Sequence, residues 1–341
     1  MREVVFDLPS MGEQSVVNRA ALAATVPEPR RPADALPLVD WLRPALDLPL
    51  IEISVDVVIR RRIQLSSPTC AVLRGLMGKR LRDLRCLTGA ASCAGCPETT
   101  RCDYARIFEG ESPHPFWFQG VPATQAIESG VKLTCRLYLA SPAHASAPYL
   151  DVALRDAFRA LDAEAVLSPP RWRHEPLGAL AAPELPEGPL HLRTETPMCL
   201  RGDDAICRQL CPRAPWLALL VRAGVRRLDA LMRTFAPRRG GRLPRAELPD
   251  LSKINLLRGA LVPWSSSRFS HRQHKRMPLH GLAGNAILHG EHLHALVPLL
   301  RILAVTGIGK ATSLGFGVVR MVPPVSPSPD AARAPRQMAA W

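Results

Sequence analysis

The chain has no hydrophobic segment long enough to cross a membrane. Its most apolar stretch, Leu296 to Val305, includes Pro298 and Arg301, whereas a spanning helix needs about 20 consecutive apolar residues. The first residues, MREVVFD, begin no apolar run of signal-peptide length. We therefore expect a cytoplasmic protein without membrane partners, whose nine cysteines are metal ligands or buried thiols and form no disulfide framework.

Lysine is scarce, with five residues against 39 arginines, and aromatic residues make up only 5% of the chain. Hydrophobic residues still reach 47% of the 341 residues, so we expect most of the chain to fold around one large core or two small ones. The formal net charge is +14. This excess is typical of proteins that bind polyanions, although a GC-rich genome that favours arginine, alanine and proline codons would also produce it.

The distribution of the charge favours the functional explanation. Between Leu251 and Arg320 the chain carries nine Lys or Arg and a single acid, Glu291, a net charge of +8. Codon bias would add arginine without removing acidic residues. We therefore predict that this region binds a polyanion.

Hydrophobic patterning predicts two folded units that share one order of elements. In the first unit, the alternating strand Ile51–Ile59 precedes a helix that begins at Ser66-Ser67-Pro68, where a hydroxyl can cap the free N–H groups. A second strand and helix follow at Val131–Leu139 and Tyr149–Leu161. This is the outline of a ferredoxin-like domain.

The second unit repeats the order of the first. Its strongest signal is the amphipathic helix Trp216–Phe235, which lies between a strand at Leu190–Thr196 and a strand at Ala283–Leu288. A helix at Glu291–Ala304 and a strand at Phe316–Val322 complete it. The predicted fold class is therefore α+β, with two ferredoxin-like domains in tandem. The predicted boundaries are an irregular arm at 1–48, a first domain at 49–167 with a cysteine-rich insert at 86–102, a proline-rich linker at 168–189, a second domain at 190–322 and a frayed tail at 323–341.

A glycine-rich motif lies between the last predicted helix and strand. It contains Gly307, Gly309, Lys310, Gly315 and Gly317. It is not a nucleoside-triphosphate loop, because Ala stands where that loop needs its first Gly and where it needs Ser or Thr after Lys310. A dinucleotide fingerprint is excluded because its third glycine is missing. Glycines allow a phosphate–ribose chain to approach the backbone, so exposed N–H groups with Lys310 could hold phosphates; the alternative is a plain helix C-cap.

The segment before this motif, Trp264 to Gly284, interleaves aromatic, hydroxyl and basic side chains. Such a mixture suits a groove in which rings stack on bases and cations hold phosphates. The alternative is a solvated basic face. The candidate phosphate contacts are Arg268, Arg272, Lys275, Arg276 and Lys310.

These residues resemble a known family. The basic run, then His280-Gly-Leu-Ala-Gly284, an apolar helix and the Gly-x-Gly-x5-Gly-x-Gly loop are similar to the C-terminal domain of the CRISPR-associated endoribonucleases that process precursor CRISPR RNA. That family belongs to the RAMP superfamily of ferredoxin-like (RRM-like) proteins. The helix that carries Arg226 and the segment Leu73–Gly78 also resemble family elements, so the likeness spans roughly residues 50 to 322.

The resemblance implies a metal-independent endoribonuclease that binds CRISPR repeat RNA. In the family, a ribose 2′-OH attacks the adjacent phosphate and leaves a 2′,3′-cyclic phosphate; this needs a base, an acid and a cation near the phosphate. Six of the ten histidines lie between His271 and His294, and His271 and His274 are the candidate catalytic residues. The chain departs from the family because no histidine precedes His114. Lys79, Arg80 and hydroxyls such as Ser66 are alternatives, and loss of cleavage is another.

Four cysteines in the first domain have the spacing of a metal site. They are Cys86, Cys93, Cys96 and Cys102. The pair Cys93-x2-Cys96 brings two sulfurs to one turn, and four thiolates suit Zn²⁺ or an iron–sulfur cluster; the spacing also resembles a pattern in part of the family. The alternative is a set of unmetallated thiols. The cluster Cys199, Cys207 and Cys211 offers only three ligands, and we expect Cys70 and Cys135 in the core.

The sequence thus favours an endoribonuclease that processes CRISPR RNA and needs no catalytic cofactor. Two other classes stay open. One is a non-catalytic RNA-binding RAMP subunit, with other effector-complex subunits as partners. The other is a zinc-dependent DNA-binding regulator that would use the cysteine insert to read duplex DNA.

Overall fold

The computed structural model describes residues 35–90, 92–181, 188–200, 216–236, 245–270 and 275–322. The strands are β1 (Ala35–Pro37), β2 (Pro49–Val58), β3 (Ile63–Gln64), β4 (Phe116–Gln119), β5 (Ala126–Ile127), β6 (Lys132–Ala140), β7 (Val166–Leu167), β8 (Arg171–Pro176), β9 (Leu190–Thr194), β10 (Arg245–Glu247), β11 (Asn255–Ser270), β12 (Lys275–His289) and β13 (Val319–Val322). The helices are α1 (Leu38–Leu46), α2 (Thr69–Arg85), α3 (Ala147–Leu161), α4 (Leu177–Leu180), α5 (Trp216–Phe235) and α6 (Leu293–Thr306).

The first domain is an antiparallel sheet in the order β4–β6–β2, with β7 and β8 pairing along the far edge of β2. Alternation along β2 turns Ile51, Ile53 and Val55 toward a core that they share with buried residues of α2 and α3. Cys70 and Cys135 lie in this core, as predicted. The chain order β2-α2-β4-β6-α3-β8 on a sheet ordered β4–β6–β2–β8 is that of a ferredoxin-like domain.

The second domain repeats this topology. Its sheet has the order β11–β12–β9–β13, and α5 follows β9 while α6 follows β12. Leu192, Ala286 and Leu288 of the sheet share a core with buried residues of both helices. The predicted α+β fold of two ferredoxin-like domains is therefore confirmed, and α5 has the predicted bounds.

The long hairpin of β11 and β12 extends well beyond the second sheet. Only Asn285–Leu288 of β12 pair with β9. The remaining ladder joins Leu261–Ser270 to Lys275–Gly284, and we call these two segments the ribbon. The sequence predicted a strand only at 283–288, so the ribbon is a finding of the structure.

The ribbon and the glycine-rich loop connect the two domains. Leu279 of the ribbon and Phe316 of the loop are buried in the hydrophobic core of the first domain, and Trp264 packs against the same core. The ring centroid of Trp264 lies 5.5 Å from that of Phe316. Because the second domain completes the core of the first, the two domains hold a fixed relation at this junction.

Side chains of the first domain also close the end of α6. The Trp117 indole Nε1 donates to the carbonyl of Val305 at 2.7 Å, and Gln119 Nε2 donates to the carbonyls of Ala304 and Val305 at 2.6 and 2.9 Å. Carbonyls in the last turn of a helix have no partner within the helix. The first domain therefore caps a helix of the second.

Two segments that the sequence predicted to be irregular contain regular structure. The predicted arm includes α1, in which Leu38, Trp41, Leu42 and Ala45 are buried at helical spacing despite Pro44. The predicted linker includes β8, which pairs with β2 in the first sheet, and the short helix α4. Apolar contacts and an unfilled sheet edge thus outweigh the high proline content of both segments.

The predicted serine cap of α2 is wrong. Pro68 is the residue before the first helical position, and no side chain caps this end. The N–H groups of Thr69 and Cys70 donate to the backbone carbonyls of Thr124 and Pro122 instead, at 2.8 and 3.2 Å. Among the described helices, none is both long and apolar enough to span a membrane.

Candidate nucleic-acid interface

The outer face of the ribbon presents an aromatic side chain beside a cation. Phe269 pairs in register with Arg276, and Ser270 pairs with Lys275. Phe269 is 43% exposed, and both basic residues are exposed. The Arg276 guanidinium donates to the hydroxyl of Ser267 at 3.3 Å. The structure thus places one predicted phosphate contact, Arg276, across the ribbon from an exposed ring, while Lys275 lies at the same end on the opposite face. A ring beside a cation can stack a base and hold its phosphate.

The inner face of the ribbon faces the first domain. Trp264, Ser266 and Arg268 alternate along β11 on this face, opposite Leu279 and Met277 of β12. Arg268 is half-buried, and its guanidinium donates to the sulfur of Met277 at 3.5 Å. Burial lowers the pKa of Arg268. This predicted phosphate contact therefore lies at the junction of the domains and not on the open surface.

The glycine-rich loop is largely interior. Gly307, Gly315 and Gly317 are buried, and the N–H groups of Ile308, Lys310 and Gly317 donate to the carbonyls of Gly317, Cys199 and Pro197. These N–H groups are therefore not open to a phosphate, contrary to the expectation from the sequence. A Cβ on Gly317 would lie 2.1 Å from the carbonyl oxygen of Ile308. This glycine allows the loop to fold back on itself.

Lys310 is the exposed cation of this loop. Its backbone bridges to Cys199, while the adjacent Met198 bridges to Leu282 at the base of the ribbon. One extended segment therefore separates Lys310 from the ribbon, a distance of about 10 Å at ordinary strand spacing. The loop contributes Lys310 to the same surface, and Gly309 gives it room because a Cβ there would lie 2.4 Å from the carbonyl oxygen of Cys199.

Three of the predicted residues, His271, Arg272 and His274, lie outside the described residues. They belong to the chain between Ser270 and Lys275, the last pair of the ribbon.

Lys79 and Arg226 lie on the exposed faces of α2 and α5. Lys79 follows Arg74 by five residues, which places it about 140° around the helix from the side that meets the ribbon. The structure therefore does not bring Lys79 together with the ribbon.

The sequence missed three buried or half-buried basic residues at the domain junction, namely Arg74, His114 and Arg227. The Arg227 guanidinium lies 5.3 Å from the Trp117 ring centroid and donates to the carbonyl of Thr306 at 3.5 Å. Burial lowers its pKa to about 10. Little in the sequence indicates that these arginines are buried. Arg227 adjoins the exposed Arg226, and Arg74 adjoins the buried Leu73. Neither arginine interrupts the helical pattern of its segment.

The cysteine insert gathers its four predicted ligands around one cavity. All four cysteines line one small pocket of about 10 Å³, and none of the described cysteines forms a disulfide. Backbone N–H groups of Thr88 and Gly89 donate to the Cys86 sulfur and lower its pKa, which favours the thiolate that metals bind. Within the described ranges, however, no group of three His, Cys, Asp or Glu side chains is arranged to hold a metal ion.

A second groove lies where the open faces of the two sheets meet. Its volume is about 820 Å³, and its basic lining consists of Arg136, Arg173 and Arg320. Arg136 lies 3.9 Å from the carboxylate of Glu52, and Arg320 pairs with Glu195. These ion pairs reduce the positive potential of the groove, whereas the described part of the chain offers Lys275, Arg276 and Lys310 no carboxylate within ion-pair distance.

Two tandem ferredoxin-like domains, with a basic ribbon and a glycine-rich loop in the second, define the class of the fold. Comparison with known families then shows what each half of the chain is similar to. Residues 192–319 match the family model of the CRISPR-associated endoribonuclease Cas6, and residues 48–161 match a model described as an N-terminal domain. The second domain of this chain is therefore similar to the Cas6 family of CRISPR-associated endoribonucleases. Comparison with curated proteins gives no significant match.

Solved structures with related architecture include several of this family. Cas6 of Thermus thermophilus is 14% identical, with 80% of this chain and 98% of that chain covered and a TM-score of 0.41. A Cas6-related protein from Pyrococcus furiosus is 12% identical, with 80% and 98% covered and a TM-score of 0.38. A chain of a Cas6-RT-Cas1–Cas2 complex is 12% identical, with 80% and 29% covered and a TM-score of 0.44.

Proposed function

We propose that this protein binds CRISPR repeat RNA along the ribbon and cleaves precursor CRISPR RNA on the 3′ side of a hairpin. The reaction is the metal-independent attack of a ribose 2′-oxygen on the adjacent phosphorus. The 2′-O–P bond forms as the bond from phosphorus to the 5′-oxygen breaks. A base takes the proton of the 2′-OH, an acid gives a proton to the 5′-oxygen, and the products are a 2′,3′-cyclic phosphate and a 5′-OH.

The observation that carries this proposal is the state of the cations on the ribbon. Lys275 and Arg276 lie within the segment that matches the Cas6 family model, they are exposed, and neither has a described carboxylate partner. Arg276 lies directly across the ribbon from Phe269. Unpaired cations release counterions when they bind phosphates, which drives association with nucleic acid. The paired arginines of the second groove offer less of this driving force.

The proposed base and acid are His271 and His274. Their side chains follow the last described pair of the ribbon, Ser270 and Lys275, so they belong to the segment that adjoins the basic surface. Histidine exchanges protons near neutral pH, and the neighbouring cations can stabilise the charge that develops on the phosphorane. Lys79 remains the alternative on α2, although it does not share the surface of the ribbon.

A cleavage assay in EDTA tests the proposal. We expect the wild-type protein to convert its cognate repeat RNA to a product ending in a 2′,3′-cyclic phosphate, detected by mass spectrometry. The double variant His271→Ala, His274→Ala should lose at least 100-fold in single-turnover rate, as expected when general acid–base groups are removed. His280→Ala is the matched control, because His280 is an exposed ribbon residue.

The outcomes of this assay separate the alternatives. Full cleavage by the double variant would contradict the assignment of the histidines and direct the search to Lys79. RNA binding by the wild type without any cleavage would instead identify a non-catalytic RAMP subunit, and co-purification with other effector-complex subunits would support that result. Preference for duplex DNA over hairpin RNA would overturn both.

We also propose a structural metal, zinc or an iron–sulfur cluster, at Cys86, Cys93, Cys96 and Cys102. The four thiol donors and the pocket that they share support this proposal. In this structure no three of these side chains are arranged to hold an ion. Metal analysis of purified protein should give one zinc per chain, or iron with visible absorption. A metal-free protein with four fully reactive thiols in this insert would exclude the site.

A further inference from the structure

Each domain contributes one arginine to the junction. Arg74 of α2 lies with its guanidinium 5.0 Å from the Phe108 ring centroid and 5.9 Å from that of Phe116. Its Nε is buried and has no hydrogen-bond partner. Arg268 of β11 lies close enough for its charge to act on Arg74. The ribbon therefore brings a second positive charge to a group that is already removed from water.

One described acid, Glu109, acts on Arg74 through its charge, but neither arginine has a carboxylate within ion-pair distance in the described part of the chain. Glu109 already accepts a hydrogen bond from the Tyr104 hydroxyl at 2.9 Å. Burial, followed by the charge of Arg268, lowers the pKa of Arg74 to about 10, so both groups are cationic at neutral pH. Two desolvated like charges raise the free energy of the fold unless an anion joins them.

His114 completes the surroundings of this pair. Its ring centroid lies 6.0 Å from that of Phe116, the ring that Arg74 also contacts. Burial, followed by the charge of Arg74, lowers the pKa of His114 to about 4. The ring is therefore neutral at pH 7 and adds no third charge, and its Nδ1 is buried without a partner. A neutral imidazole nitrogen can accept a hydrogen bond from a hydroxyl.

We propose that Arg74 and Arg268 hold one phosphodiester of the bound RNA between the two domains. The guanidinium fork matches the oxygens of a phosphate, and the anion relieves the repulsion between the arginines. Because one arginine belongs to each domain, the geometry of the site depends on how the ribbon packs against the first domain. The inference rests on the proposed function for the identity of the ligand, an RNA phosphate.

Charge-removing substitutions test this site. We expect Arg74→Gln and Arg268→Gln each to weaken the affinity for repeat RNA, measured by fluorescence anisotropy, by about tenfold. The double variant should lose much less than the product of the two single effects, because both residues hold the same phosphate. Arg60→Gln is the matched control; it removes an exposed arginine of the first domain and should change the affinity by less than twofold. An Arg74→Gln affinity equal to that of this control would overturn the proposal.

A second measurement keeps the site testable without RNA. Inorganic phosphate should raise the melting temperature of the wild type above that in chloride of equal ionic strength, and Arg74→Gln should lose this increment. Arg74→Lys, which keeps the charge, should retain part of it. If the wild type fails to bind repeat RNA but shows the increment, the proposed function fails and the anion site stands. If phosphate has no more effect on the wild type than on Arg74→Gln, the anion site fails.

Discussion

The two domains share one topology but enlarge different connections. In the first domain, the connection between α2 and β4 carries the cysteine insert and then Phe108, whose ring centroid lies 4.8 Å from that of Phe116 in the same domain. In the second, the hairpin between β11 and β12 grows into the ribbon and reaches across to the first domain. The enlarged connection of the first domain thus packs within that domain, whereas the enlarged hairpin of the second domain connects the two domains.

The two domains also differ in whether their basic side chains form ion pairs. Arginines of the first domain pair with acids, as in Arg80 with Asp156 at 2.8 Å and Arg171 with Asp56 at 2.7 Å. The described cations of the ribbon have no carboxylate partner. Pairing adds to the difference in net charge, because a paired arginine attracts a phosphate only weakly.

The largest difference that we expect between the domains is in the effect of glycine substitutions on stability. We compare two glycines, one in each domain, with similar positive φ angles. Gly317 of the loop has φ 77°, and Gly130 of a turn in the first domain has φ 84°. A Cβ on Gly317 meets backbone at 2.1 Å, whereas a Cβ on Gly130 meets nothing within 4 Å. We expect Gly317→Ala to lower the free energy of unfolding by about 3 kcal/mol or more and Gly130→Ala by about 1 kcal/mol. Urea denaturation measures both, and equal effects would contradict the packed loop.

The next effect is the pH dependence that His114 confers. Arg74, Arg227 and Glu109 act on its charge besides burial, and its pKa is about 4 in the fold against 6.5 for a free histidine. The unfolded chain binds the proton first, so stability is complete above pH 6.5 and is lost as the pH falls toward 4. The full loss is about 3 kcal/mol.

The measurement compares melting at pH 7.5 and pH 5. His114→Gln should lose less stability between these values than the wild type, by about 2 kcal/mol. His280→Gln, which removes an exposed histidine, should behave as the wild type does. An identical pH response of all three proteins would show that His114 is accessible to water.

The smallest effect concerns the cations of the ribbon. Replacing Lys275 and Arg276 by Gln should weaken binding of repeat RNA and reduce the slope of log K against log salt by about 1.4, the value for two contacts with a single strand. The control replaces two cations of the first domain, Arg60 and Lys132, which are also exposed. A salt titration that gives both double variants the same slope would mean that the RNA does not distinguish the domains.

Helices and strands were predictable from the sequence wherever one face of the element packs against a single hydrophobic core. Helix α5 was predicted to the residue because its apolar positions recur at helical spacing. The ribbon was not, because Leu279 and Leu282 of the same strand are buried in the cores of different domains and no simple alternation survives. Strand β8 was missed because its residues are exposed or half-buried, so it carries no apolar pattern.

The candidate site was predictable in part. The sequence located the basic segment from Trp264 to Gly284 and Lys310, because they combine charge with aromatic and glycine residues, but it did not show that the segment forms a hairpin. It did not locate Arg74 beside Arg268, because the two are distant in sequence and only the packing of Trp264 and Leu279 on the first domain brings them together. For the glycines, the alternative of a helix C-cap is met at Gly307, which ends α6, and Gly309 and Gly317 allow close backbone approach.

The shared core at the junction has a consequence for cooperativity. Cys199, Leu279, Leu314 and Phe316 are buried among residues of the first domain, far along the chain from the strands that they cover. Removing the second domain would expose this apolar surface to water, with a cost that scales with its area. The two ferredoxin-like units therefore unfold together in one transition, and neither is an independent module that evolution or an experimenter could transplant intact.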